Sequence, residues 1–238
     1  VVAHIDDHHD LLRGVTALLA NDGVFVFEAP YLGDMFETLA FDSIYHEHMS
    51  YLALHPLTIF LKKFGFEIFD VKPFSVQGNS LRYYAAPKGT YAIEPSVGFY
   101  FTQEKERGFD QLAMYHGLIK KIKALKTDVL NVMFCLKKEG KRIAAYGAPA
   151  RGNTLLNYFE IGSDMIEYAT EALPSKIGRF TPGTQIPIVD IVWARENLPD
   201  YFLLLAWPYK NVILEKEKVF IAKGGKFIMP VGDIRIIP

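Results

Sequence analysis

From residue 142 onward, short apolar runs alternate with helical segments, and that alternation constrains the fold more than any other feature of the sequence. Runs at 142–146, 166–170, 201–206 and 226–229 read as strands, with helical stretches at 154–159, near 194–196 and at 211–222. Strands separated by helices return parallel to one another, so this half predicts a mostly parallel sheet covered by helices, a small Rossmann-like domain. The first half reads differently. Runs at 66–74 and 81–86 are joined by Ser75 to Ser80. That connection is too short for a parallel crossover, so the pair is expected to be an antiparallel hairpin.

Ahead of the hairpin, residues 1–5 form an apolar, β-like run, and Asp6, Asp7 and Asp10 precede the periodic Leu11, Leu12, Val15, Leu18 and Leu19. Acidic residues before such a pattern read as a capped amphipathic helix. A strand at 24–27 is expected to be buried on both faces. A long loop at 28–55 has some helical content at 35–39, and a helix at 57–64 is closed by Gly65. Residues 96–139 read as helical, with Lys120, Lys121 and Lys123 solvated and Leu118, Ile122, Leu125, Val129 and Val132 facing inward.

Composition narrows the function classes. Half of the 238 residues are hydrophobic, enough for a packed core, which excludes a disordered chain. The 26 Lys and Arg balance 27 Asp and Glu, leaving no overall attraction to nucleic acid or to an anionic membrane, and neither is an expected partner. No apolar run approaches a membrane span. The single cysteine, Cys135, excludes an intramolecular disulfide or a multi-cysteine zinc site within this chain. A cytoplasmic enzyme or binding protein is expected, and the opening inside an apolar run suggests a longer N-terminal portion.

The densest chemistry is Tyr45-His46-Glu47-His48. A phenol, two imidazoles and a carboxylate can take, give or relay a proton near neutral pH; the plainer reading is a loop whose histidines bond the backbone. His4 and His8 are one helical turn apart, but helix capping by Asp6 and Asp7 is the simpler account and no metal site is expected. His4 is expected to end a strand, where parallel sheets place ligand-contacting residues. In Tyr146 to Thr154, the loop is expected to span 147–153. Its glycines permit close approach, the following helix start favours phosphate, and Arg151 can pair with it bidentately. The motif lacks the Lys-Ser/Thr of a P-loop and is not G-x-G-x-x-G, and a tight structural turn is its alternative. Lys176 and Arg179 could close over the same phosphate or be ordinary surface cations. Asn79 and Arg82 fall near the hairpin end.

Taken together, Asp42 to His48, Gly78 to Arg82, Gly147 to Thr154 and Lys176 to Pro187 resemble the S-adenosylmethionine-dependent sugar C-methyltransferases of deoxysugar biosynthesis, of the dTDP-sugar C-3-methyltransferase type. The resemblance implies an N-terminal zinc module, a middle methyltransferase domain and a C-terminal Rossmann-like domain. Residues 1–90 would then be the C-terminal part of a class I methyltransferase domain, 91–140 a helical connector, and 141–238 a nucleotide-sugar domain. Zinc and the main S-adenosylmethionine loop would lie upstream, leaving this chain inactive alone. The implied general base is His48, with Tyr45 and Glu47 orienting it or contacting the sugar. His4 would assist at an enolate that attacks the methyl of S-adenosylmethionine, with Ala3 and His4 on the cofactor side. Asn79, Arg82, Gly147, Arg151, Asn153, Lys176 and Arg179 would hold a nucleotide-linked sugar. Asn79 stands where the family usually has glycine, and Gln185 where it commonly has histidine. A catalytically silent nucleotide-sugar binding module is the alternative; an NAD enzyme is disfavoured by the missing fingerprint. A sheet cut short would expose an apolar edge and favour self-association.

Overall fold

The strands of the expected hairpin are two of the three in the first sheet. A computed structural model, describing residues 2–74, 80–232 and 234–238, places β1 (Phe25–Pro30), β2 (Phe66–Phe74) and β3 (Ser80–Pro87) in the order β1-β3-β2. Both pairings are antiparallel, so β1 and β2 run the same way with β3 between them. The connecting turn, with Gly78 and Asn79, lies outside the described residues. Alternation along β3 puts Leu81, Tyr83 and Ala85 into the core, against apolar residues of α1 (His8–Leu18), α3 (Leu54–Lys62) and α4 (Pro95–Glu106).

Two expectations are corrected here. The strand at 24–27 is not buried on both faces: Val26 is 46% exposed whereas Phe27 is 7% and Ala29 2%. β1 belongs to an antiparallel sheet, whose strands turn alternate side chains to core and solvent. The described residues of the apolar run at 1–5 do not form a strand either. Among the described residues it has no ladder partner; Val2–His4 is a 3-10 helix, with Ile5 N–H donating to Val2 O at 3.4 Å. His4 therefore does not end a strand.

Tyr83 is fully buried and stacks on Phe27, yet among the described residues its hydroxyl has no hydrogen-bond partner. Because an unsatisfied buried hydroxyl costs about 1–3 kcal/mol, Tyr83→Phe is expected to stabilise the protein by ~1 kcal/mol in urea denaturation. A destabilised variant would show that the hydroxyl is bonded in solution.

The first unit comprises Val1–Glu37 and His46–Ile119; the second comprises Thr38–Tyr45 and Lys120–Pro238. In the second, β4 (Ile143–Tyr146), β5 (Ala169–Glu171), β6 (Ile188–Asp190), β7 (Tyr201–Leu204), β8 (Lys226–Met229) and β9 (Arg235–Ile237) form one sheet in the order β6-β5-β4-β7-β8-β9. All pairings are parallel except β8 with β9. The chain winds from β4 outward to β6 and then returns to the other side of β4, the doubly wound pattern. β6 and β9, three residues each, are too short to show a period in the sequence. β5 begins at Ala169 rather than at 166. The helical reading of 96–139 resolves into α4 and α5 (Leu112–Lys138), whose inner side in the second unit is Ile122, Leu125, Val129, Met133 and Leu136.

Candidate active site

In the first unit the stretch after His48 is tied down by backbone bonds. Met49 and Ser50 both donate to the carbonyl of Ala3, at 2.9 and 3.2 Å, and Leu32 N–H donates to Leu52 O at 2.9 Å. These ties carry the half-buried His48 ring to 5.1 Å from the exposed His4 ring, edge to face at 67°. Two imidazoles far apart in sequence thus share one small surface. Glu47 is exposed, its Oε1 4.0 Å from His46 Nε2. Tyr45 belongs to the second unit.

The remaining histidines of this region have structural work. His8 Nε2 donates to Val2 O at 3.0 Å, fastening the 3-10 helix to α1, and His9 packs against Phe60 and Phe64. Asp7 caps α1 by accepting from Asp10 N–H at 2.9 Å, and that bond holds its carboxyl below the usual range. Among the described residues no group of three or more His, Cys, Asp or Glu is placed to hold a metal ion.

The far end of the same stretch is held by Glu104, whose role the sequence reading missed. Its carboxylate, on α4 and 3% exposed, accepts from Leu54 N–H at 2.6 Å, His55 N–H at 2.9 Å and Tyr31 O–H at 3.1 Å. An anion there satisfies the first free N–H groups of α3, which has no capping side chain of its own. Burial, then the neighbouring Glu104 charge, push the Tyr31 hydroxyl far above its ordinary value. A cleft of about 620 Å³ beside Glu104 is lined by Tyr51, His55, Ile59, Phe101 and Tyr115, and another of about 570 Å³ by Asp6, His9, Ser50, Leu52 and Phe60. Neither is lined by His4 or His48.

In the second unit, the turn after β4 is shorter than expected. α6 begins at Ala150 (Ala150–Phe159), so Arg151, Gly152 and Asn153 sit in its first turn, not in a loop; Pro149 is the cap because proline's fixed φ suits a helix start. Gly147 takes the left-handed φ of 85° that makes the turn possible, and its N–H donates to Thr170 Oγ1 at 3.0 Å. A Cβ at Gly152 would lie 2.9 Å from Leu205 Cβ, so this glycine lets the helix lie close over the end of β7. These are the outer two glycines of a dinucleotide fingerprint; the middle one, which admits a pyrophosphate, is Pro149 here.

Lys176 reaches that turn. Its Nζ donates to Ala148 O at 2.9 Å and to Glu171 Oε2 at 3.1 Å. Burial works to raise the Glu171 carboxyl, but the Ala172 N–H, Lys176 and the Leu173 N–H together hold it below the usual range. Arg179 is exposed, and the Asn153 carbonyl accepts from Asn157 Nδ2 at 2.8 Å. Arg82, on β3 of the first unit, donates to Glu28 Oε2 at 3.0 Å and stacks over Phe74 at 3.7 Å. The Glu28 bond raises its pKa further. Asn79 lies outside the described residues. Arg151 forks onto Asp42, with Nε to Oδ2 at 2.8 Å and a terminal nitrogen to Oδ1 at 3.0 Å. Trp207 Nε1 donates to the same carboxylate at 2.7 Å. Neither Asp42 nor Trp207 had a role assigned from sequence.

A mixed α/β chain whose second unit is a doubly wound, mostly parallel sheet is the architecture of a Rossmann-like methyltransferase C-terminal region. Comparison with known proteins agrees. The C-methyltransferase C-terminal domain matches residues 75–232, and the chain belongs to that family. C-methyltransferase NovU of Streptomyces niveus is 35% identical over 236 residues, which cover 99% of this chain and 56% of the relative. The chain thus spans little more than half the length of that curated relative. Among the described residues no helix is long and apolar enough to cross a membrane.

Proposed function

We propose that this chain carries the proton-abstracting residues and a nucleotide-binding face of an S-adenosylmethionine-dependent sugar C-methyltransferase. The observation that carries the reading is the juxtaposition of His48 and His4, 5.1 Å between ring centres. A sugar carbon beside a ketone loses its proton only if the charge moves onto oxygen as an enolate. The reaction therefore needs a base at carbon and a hydrogen-bond donor near the developing oxyanion. His48 serves as the base and His4 as the donor, while Glu47 orients the base or holds the sugar and Tyr45 holds the sugar.

The fit to the methyl donor rests on the same residues. Both lone pairs of the buried Ala3 carbonyl are taken by Met49 and Ser50, so Ala3 offers a cofactor hydroxyl no acceptor there. His4, exposed, is the group of this chain that would face the donor. When bound, S-adenosylmethionine supplies an electrophilic methyl group; this chain's residues prepare the carbon nucleophile and hold its proton on His48.

In the second unit, Lys176 and the exposed Arg179 are the cations for a diphosphate, with Gly147 and Asn153 beside the turn they serve. Charge-assisted hydrogen bonds are worth about 1.5–3 kcal/mol, so Lys176→Ala or Arg179→Ala is expected to raise KM for a dTDP-linked keto-deoxysugar by ~10-fold or more. The turnover number should stay within about twofold. Steady-state kinetics on the full-length protein checks this, and an unchanged KM would make both residues ordinary surface cations.

A further inference from the structure

The Arg151 guanidinium, which the sequence offers to a phosphate, is held by a carboxylate of the protein itself. We propose that Asp42 is the resident anion at the strand ends of the second unit, and that Asp42, Arg151 and Trp207 are positioning residues that fix the 38–45 segment and Tyr45 at its end.

In a doubly wound sheet, ligands bind beyond the carboxyl ends of the strands where the strand order reverses, here beyond β4 and β7. Arg151 comes from the first turn of the helix after β4, and Trp207 from the 3-10 turn Trp207–Tyr209 after β7. Groups from both sides of the reversal therefore converge on one anion, and that anion is Asp42. It is fully buried, and the Arg151 side chain is only 16% exposed. Three N–H donors satisfy the carboxylate, and the guanidinium lies over the Trp207 ring at 4.6 Å, which locks the plane of the fork. A phosphate competing for Arg151 would leave a buried carboxylate without its cation, a costly state. The competing anion is also tethered to the same chain.

The rest of the segment is built for the same purpose. Phe41 packs on Tyr158 and Phe159 of α6 at 5.1 and 5.4 Å. Ser43 N–H and Oγ both donate to Ala40 O, at 3.1 and 2.7 Å, and Ile44 N–H donates to Phe41 O at 2.9 Å, closing a 3-10 turn. Thr154 Oγ1 reaches Ile44 O at 3.5 Å, one residue before Tyr45. The inference rests on the reading that Tyr45 works at the reacting sugar.

Three variants of the full-length protein test it: Arg151→Lys keeps the charge but loses the fork, Asp42→Asn keeps the shape, and Trp207→Phe keeps the ring. For each, dTDP affinity is measured by calorimetry, kcat and KM with S-adenosylmethionine and a dTDP-linked keto-deoxysugar, and amide hydrogen exchange across residues 38–45. Misplacement of a group by 1 Å can cost ~10²-fold, so kcat should fall by about 10- to 100-fold with KM and dTDP affinity within about threefold of wild type. Exchange across 38–45 should quicken, and Asp42→Asn combined with Arg151→Lys should be no worse than the poorer single variant, because the residues act as one unit. A tenfold loss of dTDP affinity in Arg151→Lys with unchanged amide exchange would make Arg151 a phosphate ligand and overturn the proposal. Unchanged kcat with faster exchange would reduce the cluster to a structural anchor and overturn its positioning role. If Asp42→Asn fails to fold, Trp207→Phe decides, since it removes one hydrogen bond. If the wild type turns over no keto-sugar, the methyl-transfer reading fails by itself, while the affinity and exchange measurements still judge who holds Arg151.

Discussion

His48→Asn in the full-length protein is expected to slow solvent-deuterium exchange at the carbon beside the substrate's ketone by ~10²–10⁴-fold, and methyl transfer with it. Asparagine preserves size and hydrogen bonding at this half-buried position but cannot accept a proton from carbon. His4 is close enough to polarise an oxygen beside His48, yet one ring fixed 5.1 Å from the other does not occupy its place. Exchange is the sharper readout because it requires only the base, whereas methyl transfer also requires the donor. A silent nucleotide-sugar binding module would bind the same dTDP-sugar and show no exchange in either protein. Wild-type exchange rates in His48→Asn would end the assignment of His48 as the base.

The largest stability effect is expected from Glu104→Ala, a loss of about 3–5 kcal/mol in the unfolding free energy, because three buried or part-buried donors lose their acceptor at once. Leu54 N–H, His55 N–H and Tyr31 O–H all point to one carboxylate that is 3% exposed. Glu104→Gln keeps one acceptor oxygen in place and should lose less, about 1–2 kcal/mol, through the lost charge at the helix start. Urea denaturation of both variants distinguishes the loss of an acceptor from the loss of charge. A Glu104→Ala loss below about 1 kcal/mol would mean that water takes over the cap.

Much of the fold was legible because local pattern encodes it. The Asp7 cap and the spacing of Leu11, Leu12 and Val15 define α1 without reference to anything distant. The short Ser75–Ser80 connection allows only an antiparallel hairpin, and β2 and β3 form one. The errors fall where pattern is short or ambiguous. Pro149 reads as loop but caps a helix, Val2 to His4 is apolar enough for a strand but forms a 3-10 helix, and β6 and β9 are too brief to alternate. The Tyr45 to His48 cluster was visible as concentrated proton chemistry. Nothing in residue types told which side chain it would meet.

The sequence by itself determined the α/β class, the antiparallel hairpin, the family resemblance and the residues able to move a proton, because hydrophobic period, turn length and side-chain chemistry are local properties. Tertiary structure alone decided which groups are partners. The Ala3 carbonyl accepts from Met49 and Ser50 through backbone atoms that every residue possesses, and that choice sets His48 beside His4. Arg151 and Asp42 are 109 positions apart, and Trp207 and Asp42 165, yet burial leaves the carboxylate those donors. A buried charge must be satisfied by whatever the fold brings within hydrogen-bond reach, and sequence spacing carries no record of that distance.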